Sequence, residues 1–243
     1  MNVKMPALLA AVVLVAAVMT GCTPAPEPTP TAAVPSAEPT HAPEPVSTTV
    51  GEVATAINAE VAVYDAVDGA QLTTFANPNA SGAPLVFLVE ATEGAWLQVK
   101  LPMRPNGSVG WVRASDVTVA SLEYRLEVST ADRTVTLLKG AEVVQTFAAA
   151  IGTGDTPTPL GDFYLTELLA PTNQGYGPFA YGISAFSDVL NSFGGGPGQI
   201  GMHGTDDADS IGQAASHGCI RLSNDDITML AGILPLGTPI TIA

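Results

Sequence analysis

Positive charge is scarce in this chain. Its 243 residues hold eight Lys and Arg against 23 Asp and Glu, a formal net charge of −15. So acidic a surface does not neutralise a phosphate backbone, which excludes nucleic acid as a partner. It also disfavours adhesion to anionic lipid through a basic patch. Cysteine is scarcer still. Cys22 and Cys219 are the only two, so a disulfide-rich scaffold is excluded and one bridge is the most the count allows. Long apolar runs are missing too: Ala7 to Val18 is an unbroken run of twelve residues, whereas a membrane-spanning helix needs about 20. What is plentiful is Gly (24) and Pro (20) among 47% hydrophobic residues. That mixture favours short strands joined by turns over long helices.

The N-terminus reads as an export signal. Lys4 precedes the apolar run, and Met19-Thr20-Gly21-Cys22 closes it. A positive start, a short apolar stretch and a small residue at its end are the parts of a signal peptide. The last four residues resemble the lipobox of bacterial lipoproteins, which implies lipidation of Cys22 as the new N-terminus. Residues 1–21 are thus expected to be a lipoprotein signal peptide. Residues 22–49 form a tether with eight Pro (positions 24, 26, 28, 30, 35, 39, 43 and 45), too poor in apolar side chains to fold. The expected location is extracytoplasmic, lipid-anchored to the membrane and facing the cell wall.

Residues 50–120 change character. Val61 to Tyr64, Pro84 to Glu90, Trp96 to Lys100 and Gly110 to Val112 are β-prone runs between turn residues such as Asp68-Gly69 and Pro105-Asn106-Gly107. Five or so short strands in this space imply a small barrel or sandwich. The paired Trp96-Leu-Gln-Val99 and Gly110-Trp-Val112 resemble a bacterial SH3-like domain, and both tryptophans are expected in its core.

Residues 121–243 open with alternating strands. In Thr134 to Leu138, Val135 and Leu137 share one face. Gly175 to Gly198, rich in Gly, Pro and aromatics, reads as a long irregular loop. Further on come Met202-His203-Gly204-Thr205 and then Ser216-His217-Gly218-Cys219-Ile220-Arg221-Leu222. A free thiol in an exported protein is open to oxidation. It is explained if Cys219 is a nucleophile and a histidine takes its proton. Gly218 permits close backbone approach and leaves amides to line an oxyanion site. Ser223 followed by Asp225 and Asp226 predicts a helix start, with Ile227, Leu230 and Ile233-Leu234 as its apolar stripe.

The H-G-T and S-H-G-C-I-R-L segments, with Thr156-Pro-Thr-Pro-Leu-Gly-Asp-Phe-Tyr164 upstream, resemble the signature of the L,D-transpeptidase family. The resemblance covers residues 121–243. It implies a β-sandwich catalytic domain with one or two short helices, so the fold class expected for the whole is mainly β, a small SH3-like barrel followed by that domain. It further implies a peptidoglycan-cross-linking acyltransferase. Cys219 would attack the carbonyl between the diamino third residue and the D-Ala of a stem tetrapeptide. His203 would be the general base, Gly204 would orient it through its carbonyl, and His217 would shape the site. Amides around His217, Gly218 and Cys219 would form the oxyanion hole, with Ser216 and Arg221 supporting it. Tyr176, Phe179 and Tyr181 would lie on a substrate lid. No cofactor or metal is implied; the partners are stem peptides and, through the anchor, the membrane, and the protein is expected to be a monomer.

Three other readings fit the same residues less well. A zinc site on His203, His217, Cys219 and an Asp lacks familiar ligand spacing. An inert cluster in a wall-binding protein leaves an exposed thiol as a liability. In papain-like wall hydrolases Cys precedes His, the reverse of the order here.

Overall fold

The computed structural model describes residues 49–243 except Gln174 and Gly194. The signal segment, Cys22 and nearly all of the tether lie outside the described residues. The described chain is mainly β. Seven strands come first: β1 (Gly51–Ala56), β2 (Glu60–Tyr64), β3 (Gln71–Ala76), β4 (Val86–Glu93), β5 (Trp96–Lys100), β6 (Val109–Arg113) and β7 (Val117–Leu122). They form one sheet in the order β3-β2-β6-β5-β4-β1-β7, and all its pairings are antiparallel. Sequence pattern locates β2, β4, β5 and β6 but not β1, β3 or β7. β3 is exposed to half-buried throughout, and β7 buries only its two end residues, so neither carries a clean alternation. Trp96 is buried as expected, edge-on to Tyr64 at 5.0 Å with Arg113 over its ring. Trp111 is only half-buried.

The second part contributes β8 (Tyr124–Ser129), β9 (Thr134–Lys139), β10 (Glu142–Ala148), β11 (Ile151–Gly152), β12 (Gly161–Leu169), β13 (Ala180–Phe186), β14 (Gln199–His203), β15 (Ala214–Ser216), β16 (Ile220–Arg221), the helix α1 (Asn224–Ala231) and β17 (Pro239–Ile242). Eight of these strands join in the order β10-β9-β8-β17-β12-β13-β14-β16, while β11 pairs with β15. Val135 and Leu137 are fully buried, in keeping with their alternation. α1 begins as its sequence predicts: Ser223 Oγ accepts from the Asp226 amide at 3.1 Å, with Asp225 and Asp226 in the first turn. Ile227 and Leu230 bury, but the helix ends before Ile233, which is exposed.

The expectation of one irregular loop over Gly175 to Gly198 is corrected. Its middle is β13, whose Tyr181, Ile183 and Ala185 alternate into the core. Tyr181 therefore leaves the proposed lid. It is fully buried, and its hydroxyl donates to the Leu230 and Leu234 carbonyls at 3.2 and 3.0 Å. A buried tyrosine needs such a partner.

The two sheets share an apolar seam in which Val53, Val86, Leu88 and Leu122 pack with Tyr164. The fully buried Tyr164 hydroxyl donates to the Val86 carbonyl at 3.2 Å; burial, with the Glu167 carboxylate nearby, holds its pKa well above the phenol range. A second tie comes from the turn after β5. Arg104 donates to the carbonyls of Ser187, Leu190 and Pro197 at 2.6, 2.9 and 3.2 Å. Asn106 exchanges bonds with the backbone of Phe186 at 2.8 and 2.9 Å. The turn thus grips the segment between β13 and β14.

Candidate active site

Three short strands set the site by simple alternation. On β14, Ile200 and Met202 point into the core, so Gly201 and His203 face the other way. Ile220 is fully buried, so Cys219 and Arg221 flank it on the cleft side. β14 and β16 pair in parallel with His203 opposite Arg221, which brings imidazole and guanidinium side by side. A Cβ placed on Gly201 would lie 3.9 Å from both Cys219 Sγ and His203 Cδ2. The thiol and the imidazole therefore converge over this glycine.

The thiol is half-buried, and the Gly201 amide donates to Sγ at 3.4 Å. Burial pushes the Cys219 pKa up, against smaller lowering effects from that amide and from the Arg221 charge. His203 is buried, and its Nδ1 sits 2.6 Å from the Gly204 carbonyl. A carbonyl only accepts, so Nδ1 carries the proton and Nε2 is left as the base. Burial lowers the His203 pKa; the Gly204 bond opposes this and Arg221 adds to it. Both shifts favour a neutral thiol beside a neutral imidazole. Such a pair suits general-base chemistry, in which the proton would move as the sulfur attacks.

The loop before Cys219 is tightly fixed. Ser216 Oγ donates to the Cys219 carbonyl at 2.5 Å and accepts from the Gly218 amide at 3.1 Å. Thr158 Oγ1 donates to the Gly218 carbonyl and accepts from the Gly152 amide, both at 2.9 Å. The second threonine of the upstream T-P-T-P segment thus pins the loop before Cys219. Gly218 has φ +119°, and a Cβ there would meet Ile200 at 3.0 Å, so glycine is required. The Gly218 amide, expected from the sequence among the oxyanion donors, here donates to Ser216 Oγ.

Tyr176 covers His203, the two rings 4.4 Å apart; burial raises the Tyr176 pKa. Phe179 is half-buried and packs against the main core. His217 is exposed and stacks on Phe193 at 5.0 Å. Sequence pattern does not single out Phe193, because no spacing in its glycine-rich segment marks one aromatic above another. Nor does it single out Thr158. Arg221 is half-buried, and its Nε is buried and unpartnered among the described residues. No group of three or more His, Cys, Asp or Glu gathers as a metal site among the described residues.

Comparison with known proteins gives a consistent picture. A family model described as the YkuD L,D-transpeptidase catalytic domain matches residues 123–242. The Bacillus subtilis (strain 168) protein YkuD, named as a putative L,D-transpeptidase, is 38% identical over 123 residues, 50% of this chain and 67% of that protein. Its Bacillus licheniformis namesake is 37% identical over the same shares. Among solved structures, an L,D-transpeptidase from Mycobacterium smegmatis is similar with a TM-score of 0.41 and 17% identity, over 66% of this chain and 90% of that one.

Proposed function

This chain belongs to the YkuD family of L,D-transpeptidase catalytic domains, and from that premise we propose that it is a cysteine acyltransferase acting on peptidoglycan stem peptides. The observation that carries the reading is the convergence of Cys219 Sγ and His203 over Gly201, with Nδ1 of His203 anchored on the Gly204 carbonyl. His203 Nε2 takes the thiol proton as Sγ attacks the carbonyl that precedes the terminal D-Ala. A tetrahedral oxyanion forms, held by the amides of Cys219 and His217. As it collapses, the carbon–nitrogen bond breaks, His203 returns the proton to the leaving amine, and a Cys219 thioester remains. An incoming amine then attacks the thioester, gives its proton to His203, and expels the thiolate, which is reprotonated. The product with a side-chain amine of a second stem is a 3→3 cross-link. Water in the same place gives L,D-carboxypeptidase activity, and a free D-amino acid gives exchange.

Arg221 lies where it lowers the pKa of both reacting groups, and it offers a partner for a substrate carboxylate. Tyr176 and Phe193 wall the cleft beside His203 and His217. Residues 50–120 act as an SH3-like module that positions the catalytic part, and Cys22 supplies a lipid anchor that holds both at wall depth. Whole-protein mass after incubation with a carbapenem tests the nucleophile, because a strained β-lactam carbonyl acylates an activated thiol. The expected result is one covalent adduct, absent in Cys219→Ala. An adduct that persists in the variant would refute the assignment.

A further inference from the structure

Asp206 is exposed, yet its carboxylate ties two separate elements together. Oδ2 accepts from the Gly175 amide at 3.2 Å, and Oδ1 accepts from Asn224 Nδ2 at 3.4 Å. Asn224 is the first residue of α1, and its own Oδ1 is buried without a partner among the described residues. Asp206 is therefore what orients that amide. Gly175 opens the short turn 175–177 ahead of β13, and Tyr176 within it is the residue whose ring lies over His203.

Two further contacts seat the same turn. The Gly204 amide donates to the Phe179 carbonyl at 3.2 Å. Gly177 has φ +64°, and a Cβ there would overlap Gly204 Cα and Asn224 Oδ1. Only glycine meets both the backbone angle and the close approach. Gly204 is also the residue whose carbonyl holds His203 Nδ1. The turn thus rests on the backbone that orients the imidazole, while its tyrosine covers the ring.

We propose that Asp206 is a positioning residue, fastening the turn 175–177 to the start of α1 and so keeping Tyr176 over His203. The role given to His203 rests on the acyl-transfer reading above; the fastening of the turn does not. The chemical consequence is exclusion of water from the base. Burial is the largest influence on the His203 pKa and lowers it, and the tyrosine ring supplies part of that burial. The other charged or titratable groups beside the imidazole are Arg221, which also lowers its pKa, and the Cys219 thiol. A turn that lifts away lets water stabilise the imidazolium and leaves less neutral base.

The test follows the His203 imidazole resonance through pH by NMR and measures D-Ala release from a synthetic stem tetrapeptide. In Asp206→Ala the turn is freed, so the His203 midpoint is expected to rise toward the ordinary 6.5. The value of kcat/KM should fall about fivefold, the scale of one or two exposed hydrogen bonds. Loss of the carboxylate charge alone would act the other way, because a nearby anion favours imidazolium. Asp206→Asn removes the charge but keeps an acceptor for the Gly175 amide, and should restore most of the rate and the low midpoint. Tyr176→Ala should raise the midpoint by itself, and adding Asp206→Ala to it should change little more. A midpoint that stays or falls in Asp206→Ala, or one that rises fully again when Asp206→Ala is added to Tyr176→Ala, would overturn the proposal. Absence of D-Ala release by the wild type would overturn the acyl-transfer reading, while the titration would still decide whether Asp206 holds Tyr176 in place.

Discussion

A single charge acts on two titrations at the residue scale. Arg221 lowers the pKa of Cys219 and of His203 alike, while burial raises the first and lowers the second. Since the base must be neutral to accept a proton, the acid limb of kcat/KM is expected below pH 6.5, the ordinary imidazole value. Replacing Arg221 by Leu removes a lowering influence from both groups. The acid limb should then move to higher pH, and so should the midpoint of Cys219 alkylation by iodoacetamide, both measurable as pH profiles. A downward shift in either would contradict the assigned role. Much of this is legible in the sequence, because the alternation Gly201-Met-His203 and Cys219-Ile-Arg221 already puts His203, Cys219 and Arg221 on one face of two short strands. The commitment of the Gly218 amide is not, since it depends on the rotamer of Ser216.

The segment between β13 and β14 matters most at the scale of elements. Arg104 holds three of its carbonyls, and its Phe193 stacks on His217 two residues before Cys219. Arg104→Ala leaves those carbonyls without their charged donor. The expected outcome is a several-fold loss of kcat/KM with little change in the rate of Cys219 alkylation, because the thiol's own contacts are untouched. Phe193→Ala should give a similar loss, and the double variant less than the product of the two, as residues acting through one contact are non-additive. Simple multiplication of effects would show that the grip of Arg104 does not act through Phe193. By sequence pattern alone this stretch reads as one loop. Its glycines and aromatics carry turn and strand signals together, and only the packing of Tyr181 and Ile183 on the core decides that the middle is a strand. α1, by contrast, is readable from its N-cap serine and acidic first turn, because those signals act within a few residues.

At the scale of the whole molecule, the apolar seam around Tyr164 joins the two sheets into one body. The described residues fall within one compact unit, although composition and turn spacing suggest a boundary near residue 120. Leu122, 2% exposed at the end of β7, belongs to that seam. Leu122→Ala is therefore expected to cost about 2–4 kcal/mol and to lower a single melting transition monitored by both Trp fluorescence and loss of activity. Two separate transitions, with activity surviving the first, would contradict a shared fold. The sequence cannot announce this seam, because each of its residues looks like ordinary core of its own sheet. The central claim concerns what the assembled protein does, and muropeptide mass spectrometry tests it most directly. Purified tetrapeptide stems incubated with the wild type should lose D-Ala and yield 3→3 cross-linked dimers, while Cys219→Ala should leave the stems unchanged. Cross-linked dimers formed equally by Cys219→Ala would contradict the account.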